Sequence, residues 1–155
     1  MIQRIQTVYL LIVSGLFTAL LFLPIAIISS GALTYTFEVD GLKTTTTSAE
    51  MAFSTWSLFA LAALIALLSI VVIFSYKKRI RQLRICIFNT FLMIGFCALV
   101  AFYLWQFKKS PDLPECKVFL RFWSAFPVVA LIFNYLAIRN IGADEAMIRS
   151  LERLR

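Results

Sequence analysis

Four long apolar segments alternate with short polar ones along this chain of 155 residues. They cover about residues 8–30, 54–76, 85–105 and 122–138, and almost no charge lies inside them. A bilayer core of about 30 Å is crossed by about 20 helical residues, since each residue rises about 1.5 Å. Barrel strands would instead alternate polar and apolar residues. The pattern therefore predicts an all-α membrane protein, a bundle of four transmembrane helices that forms one domain over residues 1–155.

The polar segment between helices 1 and 2 has the period of a strand rather than of a helix. Apolar and polar residues alternate before the dipeptide Asp40-Gly41, and a β-prone run follows it. Asp-Gly between two such runs is the strongest short signal for a hairpin. We therefore predict a short external β-hairpin over about 34–47, whose two-residue turn sets Phe37 opposite Thr44.

The 15 Lys and Arg residues are unevenly distributed. Most of them lie at the two chain ends and in the loop between helices 2 and 3, whereas the other two loops hold most of the acids. Cytoplasmic loops of membrane proteins carry the excess of Lys and Arg. The charge pattern therefore predicts that both termini are cytoplasmic (N-in/C-in).

The loop between helices 2 and 3 contains the densest cluster of positive charge. We interpret it as a topology anchor that contacts lipid headgroups, at about 1 kcal/mol per basic residue near an anionic surface. Binding to an acidic partner is the alternative, whereas the chain has no fold that reads nucleic acid. The cluster consists of Lys77, Lys78, Arg79, Arg81 and Arg84.

The residue types argue against catalysis and metal binding. The chain has no His, which removes imidazole as a metal ligand or proton carrier. Its three cysteines, Cys86, Cys97 and Cys116, lack the spacing of a redox or metal motif. No charged residue lies near the middle of a predicted helix. We therefore expect a protein that is not an enzyme and has no cofactor or metal.

Two amides are the exceptions inside the apolar helices. Asn89 and Asn134 lie five residues from Arg84 and Arg139, at the cytoplasmic ends of helices 3 and 4. Because these helices run antiparallel, both amides should lie at a similar depth. Intramembrane polar residues usually face the bundle interior. We predict an interhelical polar contact, either between the two amides or with nearby backbone, and a ligand site is the alternative.

The C-terminal residues have a second amphipathic pattern. Gly142 is predicted to end helix 4, and Asp144 is predicted to cap a cytoplasmic helix over 144–155. This helix either lies on the membrane surface or docks on a protein partner. Its apolar stripe consists of Met147, Ile148, Leu151 and Leu154.

The two ends of the chain resemble those of a known family. Residues 1–11 (MIQRIQTVYLL) and 144–155 (DEAMIRSLERLR) are similar to the ends of small four-helix inner-membrane proteins of Bacteroidota, a family catalogued as a domain of unknown function. The resemblance implies the bacterial cytoplasmic (inner) membrane. Both end segments lie on the predicted cytoplasmic side, where we expect that they can pack together. The overall plan also resembles that of claudin-like proteins, whose external Trp and paired-Cys signature is absent here.

These features favour a non-enzymatic accessory or scaffold subunit of a membrane assembly. Its partners would be membrane lipids and an inner-membrane protein. Two other functions stay open, a protein that binds or transports a lipid or an apolar small molecule, and a membrane enzyme. A homo-oligomer is an alternative to a separate protein partner.

Overall fold

The computed structural model describes residues 2–30, 33–44, 51–75, 79–109 and 117–153. This part of the chain forms four α-helices, five short strands and one 3-10 helix. The helices are α1 (Ile2–Leu20), α2 (Trp56–Phe74), α3 (Arg79–Lys109) and α4 (Phe126–Arg153). The strands are β1 (Ala26–Ser30), β2 (Leu33–Phe37), β3 (Gly41–Thr44), β4 (Met51–Ser54) and β5 (Lys117–Leu120), and the 3-10 helix covers Phe122–Ala125.

The four helices form a ring in which each one packs on two neighbours. Helix α1 contacts α2 and α4, and α3 contacts the same two helices. Among the described residues, Trp56–Phe74, Ile80–Lys109 and Phe122–Met147 are long and apolar enough to cross a membrane. Helix α1 contributes a shorter apolar helix, Ile5–Leu20. The structure therefore contains three candidate spans and a shorter fourth helix, where the sequence predicted four full spans.

Helix 1 ends well before residue 30, so its predicted boundary is wrong. The helix closes at Leu20, and Phe22 N donates to Ala19 O at 3.1 Å in a tighter final turn. Pro24 has no N–H with which to continue the helix. Ile25 N then donates to Phe37 O at 2.8 Å, which begins the sheet. The last part of the apolar segment is therefore strand β1.

The five strands form one antiparallel sheet in the order β4-β3-β2-β1-β5. Four strands precede α2, and β5 comes from the segment between α3 and α4, so the sheet covers one end of the bundle. The hairpin signal predicted only β2 and β3, and β1, β4 and β5 were not predicted.

The predicted register of the hairpin is wrong by two residues. Phe37 lies opposite Leu42 rather than Thr44, and Glu38 N donates to Gly41 O at 2.9 Å. The turn therefore centres one residue earlier than Asp40-Gly41. A shift by an even number leaves each side chain on its predicted face. Residues 45–47 of the predicted hairpin lie outside the described residues.

The sheet and the bundle share one hydrophobic core. Phe37 and Phe107 meet edge to face at 5.4 Å between ring centroids, which joins β2 to α3. Phe17 and Phe96 pack in the same way at 5.5 Å and join α1 to α3. Thr55, just before α2, donates from Oγ1 to Val39 O at 3.1 Å. These contacts fix the sheet against the helix ends.

Helix 4 and the C-terminal helix are one continuous helix, so the predicted break at Gly142 is wrong. Helix α4 continues to Arg153, and Asp144 lies inside it rather than at a cap. A glycine inside a helix costs only about 1 kcal/mol relative to alanine. Burial of Ile141, which is 1% exposed, opposes this cost. Pro127 lies in the first turn of α4, where proline is tolerated.

We predict that Phe37→Ala lowers the free energy of unfolding by about 3–5 kcal/mol, because it leaves a cavity between β2 and α3. Phe119→Ala is the matched control, since Phe119 lies in β5 with 58% of its surface exposed. It should change stability by about 0.5 kcal/mol or less. Denaturant unfolding of the detergent-solubilised protein measures both. Equal losses would contradict a sheet that is packed onto the bundle.

Candidate functional site

The bundle interior contains a layer of polar groups, which we call the amide layer. It consists of Ser69 in α2, Cys86, Asn89 and Thr90 in α3, and Asn134 in α4. Ser69 and both amide side chains are fully buried. Asn89 Nδ2 donates to Ser69 Oγ at 3.0 Å. Asn134 Nδ2 donates to Thr90 Oγ1 at 2.8 Å and to Cys86 O at 3.2 Å. The two amides therefore connect α2, α3 and α4 through separate partners.

The hydroxyl groups of this layer fix the orientation of the amides. Ser69 Oγ donates to Ile65 O at 2.9 Å, and Thr90 Oγ1 donates to Cys86 O at 3.0 Å. Each hydroxyl has one proton, which these backbone bonds already use. Each hydroxyl can therefore only accept from its asparagine. The amide must turn its NH₂ group toward the hydroxyl and its oxygen away.

This orientation leaves two acceptors without a partner. Among the described residues, Asn89 Oδ1 and Asn134 Oδ1 are buried and accept no hydrogen bond. A buried acceptor left in this way costs about 1–3 kcal/mol. Chemically, the amide layer can accept hydrogen bonds from a donor, and it offers no charge.

A separate apolar groove of about 220 Å³ lies between α3 and α4 at the sheet end of the bundle. Neither Asn89 nor Asn134 lines it, so the groove and the amide layer are two sites. Pro127 at the start of α4 lines the groove. Its lining includes Leu20, Phe96, Val100, Leu104 and Leu120.

The predicted headgroup anchor lies partly in α3. Arg79, Arg81 and Arg84 belong to its first turns rather than to a loop, and the side chains of Arg81 and Arg84 are exposed. Lys77 and Lys78 lie outside the described residues. The three described arginines therefore lie on a helix at the end of the bundle opposite the sheet.

The predicted apolar stripe of the C-terminal helix is described at one position. Met147 lies in α4 with 57% of its surface exposed. The side chains of Ile148 and Leu151, and all of Leu154, lie outside the described part of the chain.

The two ends of the described chain meet at the same end of the bundle. Gln6 Nε2 in α1 donates to Asp144 Oδ2 in α4 at 2.6 Å, and Gln6 is 4% exposed. Leu10 and Ile141 pack in one apolar cluster beside this bond. The two partners are 138 positions apart in the sequence, so no local pattern indicates this contact.

The turn between β2 and β3 carries charged side chains, whereas the amide layer is uncharged. Lys43 Nζ donates to Glu38 Oε2 at 2.7 Å and lies 3.7 Å from Asp40 Oδ2. The hydrogen bond to Glu38 raises the pKa of Lys43 above its ordinary value. Burial lowers this pKa by a smaller amount, and the negative charges of Glu38 and Asp40 raise it further. The described residues contain no group of three Cys, Asp or Glu side chains that could hold a metal ion.

Residues 2–154 match a protein family described as Domain of unknown function (DUF4293). The chain belongs to this family. The match covers every described helix and strand, so the groove and the amide layer both lie within the DUF4293 region. The predicted resemblance to a domain of unknown function is therefore confirmed. No curated protein matches this DUF4293 chain.

We predict that Thr90→Val and Asn134→Leu are energetically coupled, because the first change removes an acceptor of the second residue. Hydrogen bonds between membrane helices contribute about 0.6 kcal/mol on average and about 1.7 kcal/mol at most. A double-mutant cycle on unfolding in detergent should give a coupling energy in this range. The control cycle pairs Ser69→Ala with Asn134→Leu, which share no bond and should add within about 0.3–0.5 kcal/mol. Equal coupling in both cycles would contradict the partners described.

Proposed function

We propose that this DUF4293 protein is a non-enzymatic accessory or scaffold subunit of an assembly in the bacterial inner membrane. The observation that carries the proposal is the edge of the sheet at β5. Among the described residues this strand pairs only with β1, and β5 is the last strand in the sheet order. Phe119 and Leu120 are 58% and 65% exposed, respectively. An apolar strand with a free edge is a template for a partner strand.

Insertion in a membrane is supported by the surface of the helices. Large apolar side chains lie on the outer faces of α2, α3 and α4, whereas amides and hydroxyls lie inside. A soluble monomer rarely exposes such a continuous apolar surface. The exposed apolar side chains include Leu64, Leu67, Ile70, Phe91, Ile94 and Ile132.

The proposed orientation places the two chain ends in the cytoplasm and the sheet outside. The exposed Arg81 and Arg84 lie at the end of the bundle that also holds Gln6 and Asp144, and basic residues favour the cytoplasmic side. There they contact anionic headgroups. The free edge of β5 then faces the external side, where it is accessible to a partner protein or a second copy of this chain.

The apolar groove favours a second candidate function, a protein that binds a lipid or an apolar small molecule. The groove is separate from the β5 edge except at Leu120, which contributes to both. The two functions therefore predict different effects of substitutions at the edge and in the groove.

The test is recovery of partners by a tagged, chromosomally expressed copy in mild detergent, quantified by mass spectrometry. Phe119→Ala should lower recovery of a stoichiometric partner at least about tenfold, which corresponds to about 1.4 kcal/mol. Phe22→Ala is the control, because Phe22 is 78% exposed at the same end but lies outside the sheet.

Three outcomes would decide between the hypotheses. Unchanged recovery with Phe119→Ala contradicts the sheet edge as the docking surface. Loss of the partner on removal of residues 148–155, with Phe119→Ala silent, assigns docking to the C-terminal helix. A protein that carries lipid and no stoichiometric protein overturns the subunit proposal in favour of the second candidate.

A further inference from the structure

We propose that the apolar groove binds one acyl chain of an anionic phospholipid, and that Arg121 at its rim holds the phosphate. The proposal rests on the membrane insertion proposed above and not on a protein partner. The ligand is a lipid of the bilayer leaflet at the sheet end of the bundle.

The groove has a buried floor and an open mouth. Leu20 and Phe96 on its floor are fully buried, whereas Leu120 and Val128 at its mouth are 65% and 56% exposed. Helices α3 and α4, which form its sides, are both candidate membrane spans. The mouth therefore faces the surrounding lipid, from which a chain can enter sideways.

The size of the groove favours a chain over a compact molecule. Sites for compact small molecules enclose about 300–1,000 Å³. The groove offers about 220 Å³ and is open along one side. It can therefore hold part of a flexible hydrocarbon chain, while the rest of the lipid stays in the bilayer.

Apolar packing alone gives the groove little preference among lipids. Lipid tails are as apolar as the side chains that line it, so no hydrophobic driving force favours the groove over the bilayer. Selectivity must come from the headgroup. A charged residue at the rim is therefore the decisive element of the site.

Arg121 is held at this rim by its own backbone. Its N–H donates to Ile25 O at 3.1 Å, and its carbonyl accepts from Ser124 N at 2.9 Å. Ile25 and Ser124 both line the groove, as does the preceding residue Leu120. The exposed side chain of Arg121 therefore starts from a fixed position beside the open mouth.

The guanidinium group of Arg121 is available for a phosphate. It forms no salt bridge with a described residue, and the described acids Glu38 and Asp40 pair with Lys43 on another part of the sheet. Arginine binds phosphate through two parallel N–H···O bonds, which a lysine cannot reproduce. Zwitterionic phospholipids carry the same phosphate next to an ammonium cation, which cancels the net charge and repels a guanidinium group. A phospholipid of net negative charge therefore fits both parts of the site.

The test uses native mass spectrometry of the full-length protein in detergent with added dioleoyl-phosphatidylglycerol or dioleoyl-phosphatidylcholine. The two lipids have identical chains and differ in net headgroup charge. One phosphatidylglycerol should be retained per chain, with occupancy at least about tenfold above that of phosphatidylcholine, which is about 1.4 kcal/mol. Equal retention of the two lipids would overturn the proposal.

Two substitutions test whether the headgroup is bound by Arg121 in particular. Arg121→Gln should lower retention of phosphatidylglycerol to the level of phosphatidylcholine. Lys117→Gln is the matched control, because Lys117 is exposed at the other end of β5, about 13 Å away at about 3.3 Å per residue. Equal effects of the two changes would mean that positive charge in general attracts the lipid, and would overturn the assignment of Arg121.

The third substitution, Ala101→Phe, fills the groove from an exposed lining position. It should abolish retention of both lipids while the helical circular dichroism stays unchanged, and undiminished retention would exclude the groove. If this variant fails to fold, the comparison of Arg121→Gln with Lys117→Gln decides the proposal. Failure of membrane insertion is distinct, since the wild-type protein would then be recovered from the soluble fraction.

Discussion

The backbone pairing of β1 with two strands, β2 and β5, is the interaction on which the sheet end of this protein depends. Strand β1 follows α1 directly, and its pairing with β5 joins the segment before α2 to the segment between α3 and α4. Ala26 and Ile28 alternate with less buried residues and turn one face of the strand into the core. The position of β5, and with it the free edge and the mouth of the groove, follows from this strand.

The sequence predicted helix 2 well because its signal is strong, and it failed at helix 1, where two structures share one signal. Helix 2 was predicted within two residues of each observed end, since a run of apolar residues between polar ones has one interpretation at that length. The segment from Ile25 to Ile28 is apolar in either a helix or a strand, and periodicity does not separate the two. Pro24 was the available signal, since a proline has no N–H with which to continue a helix.

The candidate site was also predictable from the sequence only in part. Asn89 and Asn134 were identifiable because an amide in an apolar helix is expensive. Their partners Ser69 and Thr90 were not, because a hydroxyl that bonds back to its own helix is tolerated almost anywhere. The groove and the position of Arg121 depend on β5 lying beside β1, a long-range pairing that no local pattern encodes.

We propose that the sheet and the two chain ends lie on opposite sides of a membrane, which requires α1 to cross it together with the three candidate spans. Helix α1 is the critical element, since its apolar part, Ile5–Leu20, is about 24 Å long against a bilayer core of about 30 Å. The direct measurement is labelling with a membrane-impermeant maleimide after Cys86, Cys97 and Cys116 are replaced by alanine. Asp40→Cys should react from outside intact inner membranes, and Gln3→Cys only after lysis. Labelling of both positions from the same side would contradict the account.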